Sequence, residues 1–213
     1  MRRIWLRDFR KGFKNSKDNV TVFEFIDMYF MGTSNKYQRQ RRRKYFSVLS
    51  NSAIQTRSWG RRLGCLLKEG GVIGLIGELG SGKTCFLRGL AEGLEVNPKA
   101  WVRSPSFTLI NEYDGKIPLF HIDLFRITNG RELEGLNLRE YLYSDGVCAI
   151  EWFENLPKGE VKEFIQIVID QVSWNKRKLS FTAYGYDYEI ILQRISQGRR
   201  GNKRGSKGDG LWA

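Results

Sequence analysis

A single histidine, His121, in 213 residues leaves no way to build a metal centre from imidazoles. The three cysteines do not help. Cys65, Cys85 and Cys148 show no C-x-x-C spacing and each falls in an apolar pattern, which reads as small buried hydrophobes of a reducing compartment rather than disulfides or zinc ligands. Long apolar runs are missing as well. No stretch approaches the ~20 residues that a membrane span needs. Residues 20–31 are apolar only in part and are broken by Glu24 and Asp27, so no secretory signal is read there. A soluble, cytoplasmic protein is expected, with no membrane partner.

Acidic residues are scarce only at the two ends. The net charge of +13 divides into +9 over residues 1–44, −1 over residues 45–193 and +5 over residues 194–213. Bulk attraction to polyanions therefore belongs to the tails, and the body is near-neutral. Two readings stand for residues 1–44, which carry Arg2-Arg3, Phe23, Phe25, Tyr29, Phe30 and Arg41-Arg42-Arg43-Lys44. One is an arm that touches RNA through phosphate charge and aromatic stacking. The other is a disordered or partly helical extension, or translated upstream sequence with initiation at Met31. Residues 197–213, rich in glycine and basic side chains, read as a disordered tail, which leaves residues 45–196 as the folded domain.

What the chain does have is Gly77-Glu78-Leu79-Gly80-Ser81-Gly82-Lys83-Thr84. This is the G-x-x-x-x-G-K-[ST] spacing of a phosphate-binding loop. Residues 72–76 before it form a β-branched apolar run, a buried strand; residues 85–94 after it carry apolar positions at helical spacing, with Gly93 near the end. Strand, glycine loop and helix in that order allow backbone N–H groups and the positive end of the helix to hold a phosphate chain. Lys83 would reach the β- and γ-phosphates and the Thr84 hydroxyl would ligate Mg²⁺. Glu78, Leu79, Gly80, Ser81, Gly82, Lys83, Thr84 and Cys85 are thus the expected ATP-binding residues.

A P-loop enzyme also needs a carboxylate at the end of a neighbouring strand. Two segments supply one. Residues 117–123 read as the return strand of a hairpin turned at Asp114-Gly115-Lys116, with a left-handed glycine at the turn, and end in Asp123. Residues 147–151 read as a parallel core strand ending in Glu151. Glu151 is the first choice for the metal, with Thr84, and Asp123 for a metal-bound water or activation of the attacking water. His121 lies two residues before Asp123 and faces the same side of its strand, either orienting the site or as a satisfied structural histidine. Ser104-Pro105-Ser106 stands where a nucleotide switch would sense the γ-phosphate, or is an ordinary turn. Elsewhere, residues 45–49 read as a strand and residues 53–67 as a helix burying Ile54, Trp59, Leu63, Leu66 and Leu67. Trp101-Val102 reads as a short strand, residues 131–142 as a helix, residues 165–170 and 178–184 as an antiparallel pair, and residues 187–196 as a last helix.

Taken together, residues 77–84, Ser104-Pro105-Ser106-Phe107-Thr108, Asn111-Glu112-Tyr113, His121-Ile122-Asp123-Leu124-Phe125-Arg126 and Ile150-Glu151-Trp152 resemble the bacterial TsaE (YjeE) family of small P-loop ATPases over roughly residues 45–192. The resemblance implies a three-layer α/β/α P-loop fold, with a mixed, mostly parallel sheet and antiparallel hairpin strands. It implies weak, partner-dependent ATP hydrolysis with Mg²⁺ in making threonylcarbamoyladenosine at position 37 of tRNA. The partners would be TsaD, which transfers the group, and TsaB, with tRNA met through that complex. By the same analogy Lys83, Asp123 and Glu151 are catalytic, Ser106 belongs to a switch and Trp152 lies beside the nucleotide. The sequence departs from the family at Ser106 (usually Thr), Phe125 (usually Tyr), Glu78 (often Asp) and Ser81 (often Ala). A small-molecule or nucleoside kinase is the alternative. Residues 114–145 offer only Arg126, Arg131 and Arg139 and no long insertion for a kinase lid.

Overall fold

A computed structural model describes residues 45–105, 108–127 and 131–197. The expectations for residues 1–44, for Ser106 and for the tail beyond Gln197 lie outside the described residues. In chain order the elements are β1 (Tyr45–Ser50), α1 (Ala53–Gly64), β2 (Gly71–Ile76), α2 (Lys83–Gly93), β3 (Ile110–Tyr113) and β4 (Leu119–Asp123). Then follow α3 (Arg131–Glu134), α4 (Leu138–Leu142), β5 (Val147–Glu151), a 3₁₀ turn (Phe153–Asn155), β6 (Phe164–Gln171), β7 (Arg177–Tyr184) and α5 (Tyr186–Gln197).

The strands form one sheet in the order β1-β7-β6-β2-β5-β4-β3. The centre, β6-β2-β5-β4, is parallel, while β7 and β3 run against their neighbours. The sheet is therefore mixed and mostly parallel in direction, with the β3–β4 and β6–β7 hairpins as its antiparallel parts. Burial follows topology. Every residue of β5 is buried, whereas β6 alternates between buried Ile165, Ile167 and Ile169 and half-covered or exposed neighbours. A central parallel strand is covered on both faces, and a strand nearer the edge on one.

Two apolar clusters fill the two faces. On one side Ile73, Leu75, Ala149, Ile167 and Phe181 meet Trp59 and Leu63 of α1, Phe86, Leu87 and Leu90 of α2, and Leu192 and Ile195 of α5. On the other, Val72, Ile122, Cys148 and Ile150 meet Leu133, Leu138, Leu142 and Phe153. These are the three expected layers.

Local chemistry explains the boundaries. Ser52 begins α1 from an extended conformation with its hydroxyl accepting from Gln55 N, and the Gln55 side chain accepts from Asn51 N at 2.6 Å; both satisfy N–H groups at the helix entrance. The helix stops at Gly64, short of the expected Leu67. Ile54 is 82% exposed rather than buried, because the buried face of α1 runs through Thr56, Trp59, Gly60 and Leu63. Residues 131–142 split into α3 and α4 at Asn137, whose φ of 45° breaks the helical run. Trp101-Val102 is not a strand; the Val102 carbonyl accepts from Arg88 Nε at 2.9 Å instead of joining a ladder. Gly115 sits at a close approach and not in a left-handed turn: a Cβ there would lie 3.1 Å from Leu94 O and Val96 Cα. Of the cysteines only Cys148 is fully buried, and Cys65 is exposed at the end of α1.

The helix that carries the P-loop is seated by backbone contact. A Cβ on Gly60 would stand 2.0 Å from Phe86 O, and one on Gly89 would stand 1.8 Å from Arg57 O. The α1–α2 crossing is therefore closed by main chain on main chain, which cannot yield as a side chain tip would. Gly89→Ala should lower the unfolding free energy by at least ~2 kcal/mol in urea titrations, as overpacking does. Gly135→Ala, with nothing within 4 Å, should stay within ~0.5 kcal/mol.

Candidate nucleotide site

Three strand ends meet at one edge of the sheet. β2 and β5 pair in register with Leu75 opposite Glu151, and β4 and β5 pair with Asp123 opposite Glu151. The turn leaving β2 is the glycine loop, so that loop, Asp123 and Glu151 share the C-terminal edge where open α/β sheets bind ligands. Gly77, Gly80 and Gly82 have φ of 148°, 78° and 110°, a path side-chain-bearing residues rarely follow. Gly82 begins α2 without a side-chain cap, which leaves the positive helix end open to an anion.

A pocket of ≈ 520 Å³ opens at this edge. Of the expected nucleotide residues Leu79, Gly80, Gly82, Lys83, Thr84, Cys85 and Trp152 line it, with both candidate acids, Asp123 and Glu151. Two others do not. The Ser81 side chain is buried behind the loop, its hydroxyl without a partner among the described residues. Its N–H donates to Glu78 O at 3.1 Å. Glu78 takes part through its carbonyl, which accepts from Lys83. Five further residues line the pocket: Ser104, Pro105, Leu109, Phe125 and Arg126. Ser104 and Pro105 belong to the expected switch loop, whereas Leu109, Phe125 and Arg126 were not foreseen as site residues. The signal for the last two was their place directly after a strand that ends at the binding edge.

Thr84 Oγ1 donates to Glu151 Oε1 at 2.8 Å, and Glu151 is only 3% exposed. His121 Nε2 lies 3.0 Å from the same oxygen, so this buried histidine touches the site through Glu151. Asp123 is engaged on both oxygens: Ser104 Oγ donates to Oδ2 and the Phe125 N–H donates to Oδ1 at 3.0 Å. It thereby ties the switch-like loop to the strand end.

The Lys83 ammonium donates to Gly77 O at 2.5 Å and Glu78 O at 3.0 Å and sits 4.0 Å over the Trp152 ring. Burial pushes its pKa down from the usual lysine value, while the nearby carboxylates of Glu151, Glu154, Asp123 and Glu78 oppose that shift. Trp152 holds its ring there from a left-handed backbone, φ 58° and ψ 46°. That conformation costs a bulky residue on the order of 1–3 kcal/mol. Its ring also meets Phe125 at 4.9 Å. Beneath the loop, Arg177 at the start of β7 donates from Nε to Ser81 O at 2.9 Å and from Nη1 to Trp174 O at 3.0 Å. It fastens the loop to the β6–β7 hairpin. Nothing in the sequence singled it out.

The donor set suits a hard cation. Thr84 and Glu151 offer oxygen only, and among the described residues no three His, Cys, Asp or Glu side chains gather as a protein cage. One hydroxyl and one carboxylate facing a phosphate site is how Mg²⁺ is held when phosphates and water complete its shell.

Comparison with known proteins bears on the same residues. The family profile described as "Threonylcarbamoyl adenosine biosynthesis protein TsaE" matches residues 50–179. The chain belongs to the TsaE family. It is 39% identical over 144 residues to the tRNA threonylcarbamoyladenosine biosynthesis protein TsaE of Bacillus subtilis, covering 67% of this chain and 89% of that protein. It is 39% identical over 126 residues to the TsaE of Treponema pallidum, covering 57% of this chain and 92% of that protein. The crystal structure of Bacillus subtilis YdiB superposes with a TM-score of 0.61 at 34% identity, over 75% of this chain and 99% of that one. The TsaE profile runs from the last residue of β1 into β7 and so contains every residue lining the pocket. No helix among the described residues is long and apolar enough to cross a membrane.

Because burial lowers the Lys83 pKa in the folded state, the unfolded chain binds more protons in the window just below pH 10.5, and stability attributable to this group rises with pH there. The difference in unfolding free energy between wild type and Lys83→Met should therefore grow in favour of wild type as pH climbs through that window. Denaturant titrations of both proteins across pH 8–10.5 check the sign.

Proposed function

We propose that this chain binds ATP with Mg²⁺ and hydrolyses it, as the nucleotide-dependent component of tRNA threonylcarbamoyladenosine biosynthesis in the cytoplasm. In this reading it works with TsaD and TsaB and does not transfer the threonylcarbamoyl group itself. Family membership supports the pathway. The observation that carries the ATPase reading is the hydrogen bond between Thr84 of the P-loop helix and Glu151 at the end of the adjacent parallel strand. That juxtaposition of hydroxyl and carboxylate at a phosphate loop is the metal-holding arrangement of P-loop NTPases.

Thr84 and Glu151 would hold the cation, which, when bound, neutralises charge on the β- and γ-phosphates. Lys83 leaves the Gly77 and Glu78 carbonyls to meet those phosphates, and Trp152 excludes water from its flank. Asp123 keeps Ser104 against the γ-phosphate side and orients a water there. Arg126 stands on the pocket wall as a cation within the chain. Nucleotide entry exchanges the bonds of Lys83 to carbonyls, of Thr84 to Glu151, and of Asp123 to Ser104 and Phe125. Slow intrinsic hydrolysis is expected, with a partner completing the site.

ATP turnover by the full chain should be slow alone, roughly 10⁻³ s⁻¹ or below, as for P-loop NTPases awaiting a partner. TsaD and TsaB from the same source should stimulate it, and Lys83→Ala and Glu151→Ala should abolish it. Fast turnover on a small acceptor without any protein partner would instead favour a kinase.

A further inference from the structure

We propose that His121 is a positioning residue for this reaction: its Nε2–H sets the orientation of the Glu151 carboxylate and thereby the affinity for Mg²⁺ in the nucleotide complex. The inference rests on the reading of Thr84 and Glu151 as the residues that hold the cation.

His121 lies in the middle of β4, opposite Ala149 of β5, and has no solvent exposure. A core histidine is ordinarily satisfied at both nitrogens. Here Nε2 is 3.0 Å from Glu151 Oε1, and Nδ1 has no partner among the described residues. An ionised carboxylate only accepts hydrogen bonds, so the imidazole contributes its N–H from Nε2. A buried Nδ1 with no partner among the described residues is costly in itself. Among the described residues the contact to Glu151 is the one polar interaction of the ring.

Both donors, His121 Nε2 and Thr84 Oγ1, fall on Oε1. Two fixed donors on one oxygen restrict rotation of the carboxylate and leave Oε2 outside both bonds. Thr84 rides on the phosphate loop, whose contacts must change when nucleotide enters. His121 does not: it is part of the sheet, so its hold on Glu151 is independent of the loop. Groups that orient a metal-binding side chain in this way are typically worth 10–100-fold in metal affinity.

The test is a substitution series at His121, read by calorimetric titration of ADP with and without Mg²⁺. His121→Gln places an amide N–H near the position of Nε2. His121→Asn is too short to reach, and His121→Phe fills the volume with no donor. Mg²⁺ should tighten ADP binding in wild type and His121→Gln alike. The tightening should fall about 10–100-fold in His121→Asn and His121→Phe, with metal-free ADP affinity unchanged in all four proteins. That unchanged affinity also reports that each variant is folded. Equal Mg²⁺ response in His121→Phe and wild type overturns the proposal, as does equal loss in His121→Gln and His121→Phe. Loss of metal-free binding across the series overturns it too, by assigning the histidine to packing. A wild type whose ADP binding ignores Mg²⁺ overturns the metal reading of Thr84 and Glu151 itself, and is recognised before any variant is compared.

Discussion

The site depends on one hydrogen bond between residues 67 apart in sequence, Thr84 Oγ1 to Glu151 Oε1. It forms because β2 and β5 are parallel neighbours with Leu75 opposite Glu151. Shifting that register by one residue would turn Glu151 to the opposite face of the sheet and away from the loop. The register is fixed by burial. Every residue of β5 is buried, with Val147 and Ala149 in one apolar cluster and Cys148 and Ile150 in the other. Neither face tolerates a slip without moving its side chains into the wrong core. The chemistry at the sheet edge is thus a consequence of packing within the sheet.

The loop facing Glu151 is held just as firmly, and mostly by main chain. α2 crosses α1 at Gly60 and Gly89, where no room exists even for a methyl group. Gly77 backs onto the Ile169 carbonyl of β6, and Arg177 pins the Ser81 carbonyl from β7. Contacts of this kind transmit position without the slack of long side chains. They also bear on an unusual feature of the loop: the Ser81 hydroxyl is buried without a partner among the described residues.

Local signals were legible and distant ones were not. The phosphate loop, its strand and its helix are contiguous, so spacing and periodicity disclosed them. The acid-terminated strands were visible because a short apolar run ending in Asp or Glu is itself a pattern. The link between His121 and Glu151 was not legible, since it requires the register of β4 on β5, which no window of sequence contains. Arg177 was silent for the same reason: its partner lies 96 residues earlier. Ile54 looked apolar enough to be buried, but the α1 face is chosen by Gly60 and its contact with Phe86, and Ile54 points elsewhere. Asn137 broke a helix that propensity alone would have continued, through a backbone angle that asparagine tolerates better than most residues.

The polar groups of the pocket bond to one another, and that bears on how a partner could act. Lys83 rests on two loop carbonyls and beneath Trp152, which is itself held in a strained backbone and packed on Phe125. Phe125 is half-exposed and its N–H is bound by Asp123, which also holds Ser104. An object pressing on the Phe125 surface would therefore reach both the lysine, through one aromatic neighbour, and the acid, through the residue's own backbone. In the proposed reaction these are the groups that must change partners when nucleotide enters. A surface residue connected to both by direct contact is a short physical route from a docked protein to the phosphate site.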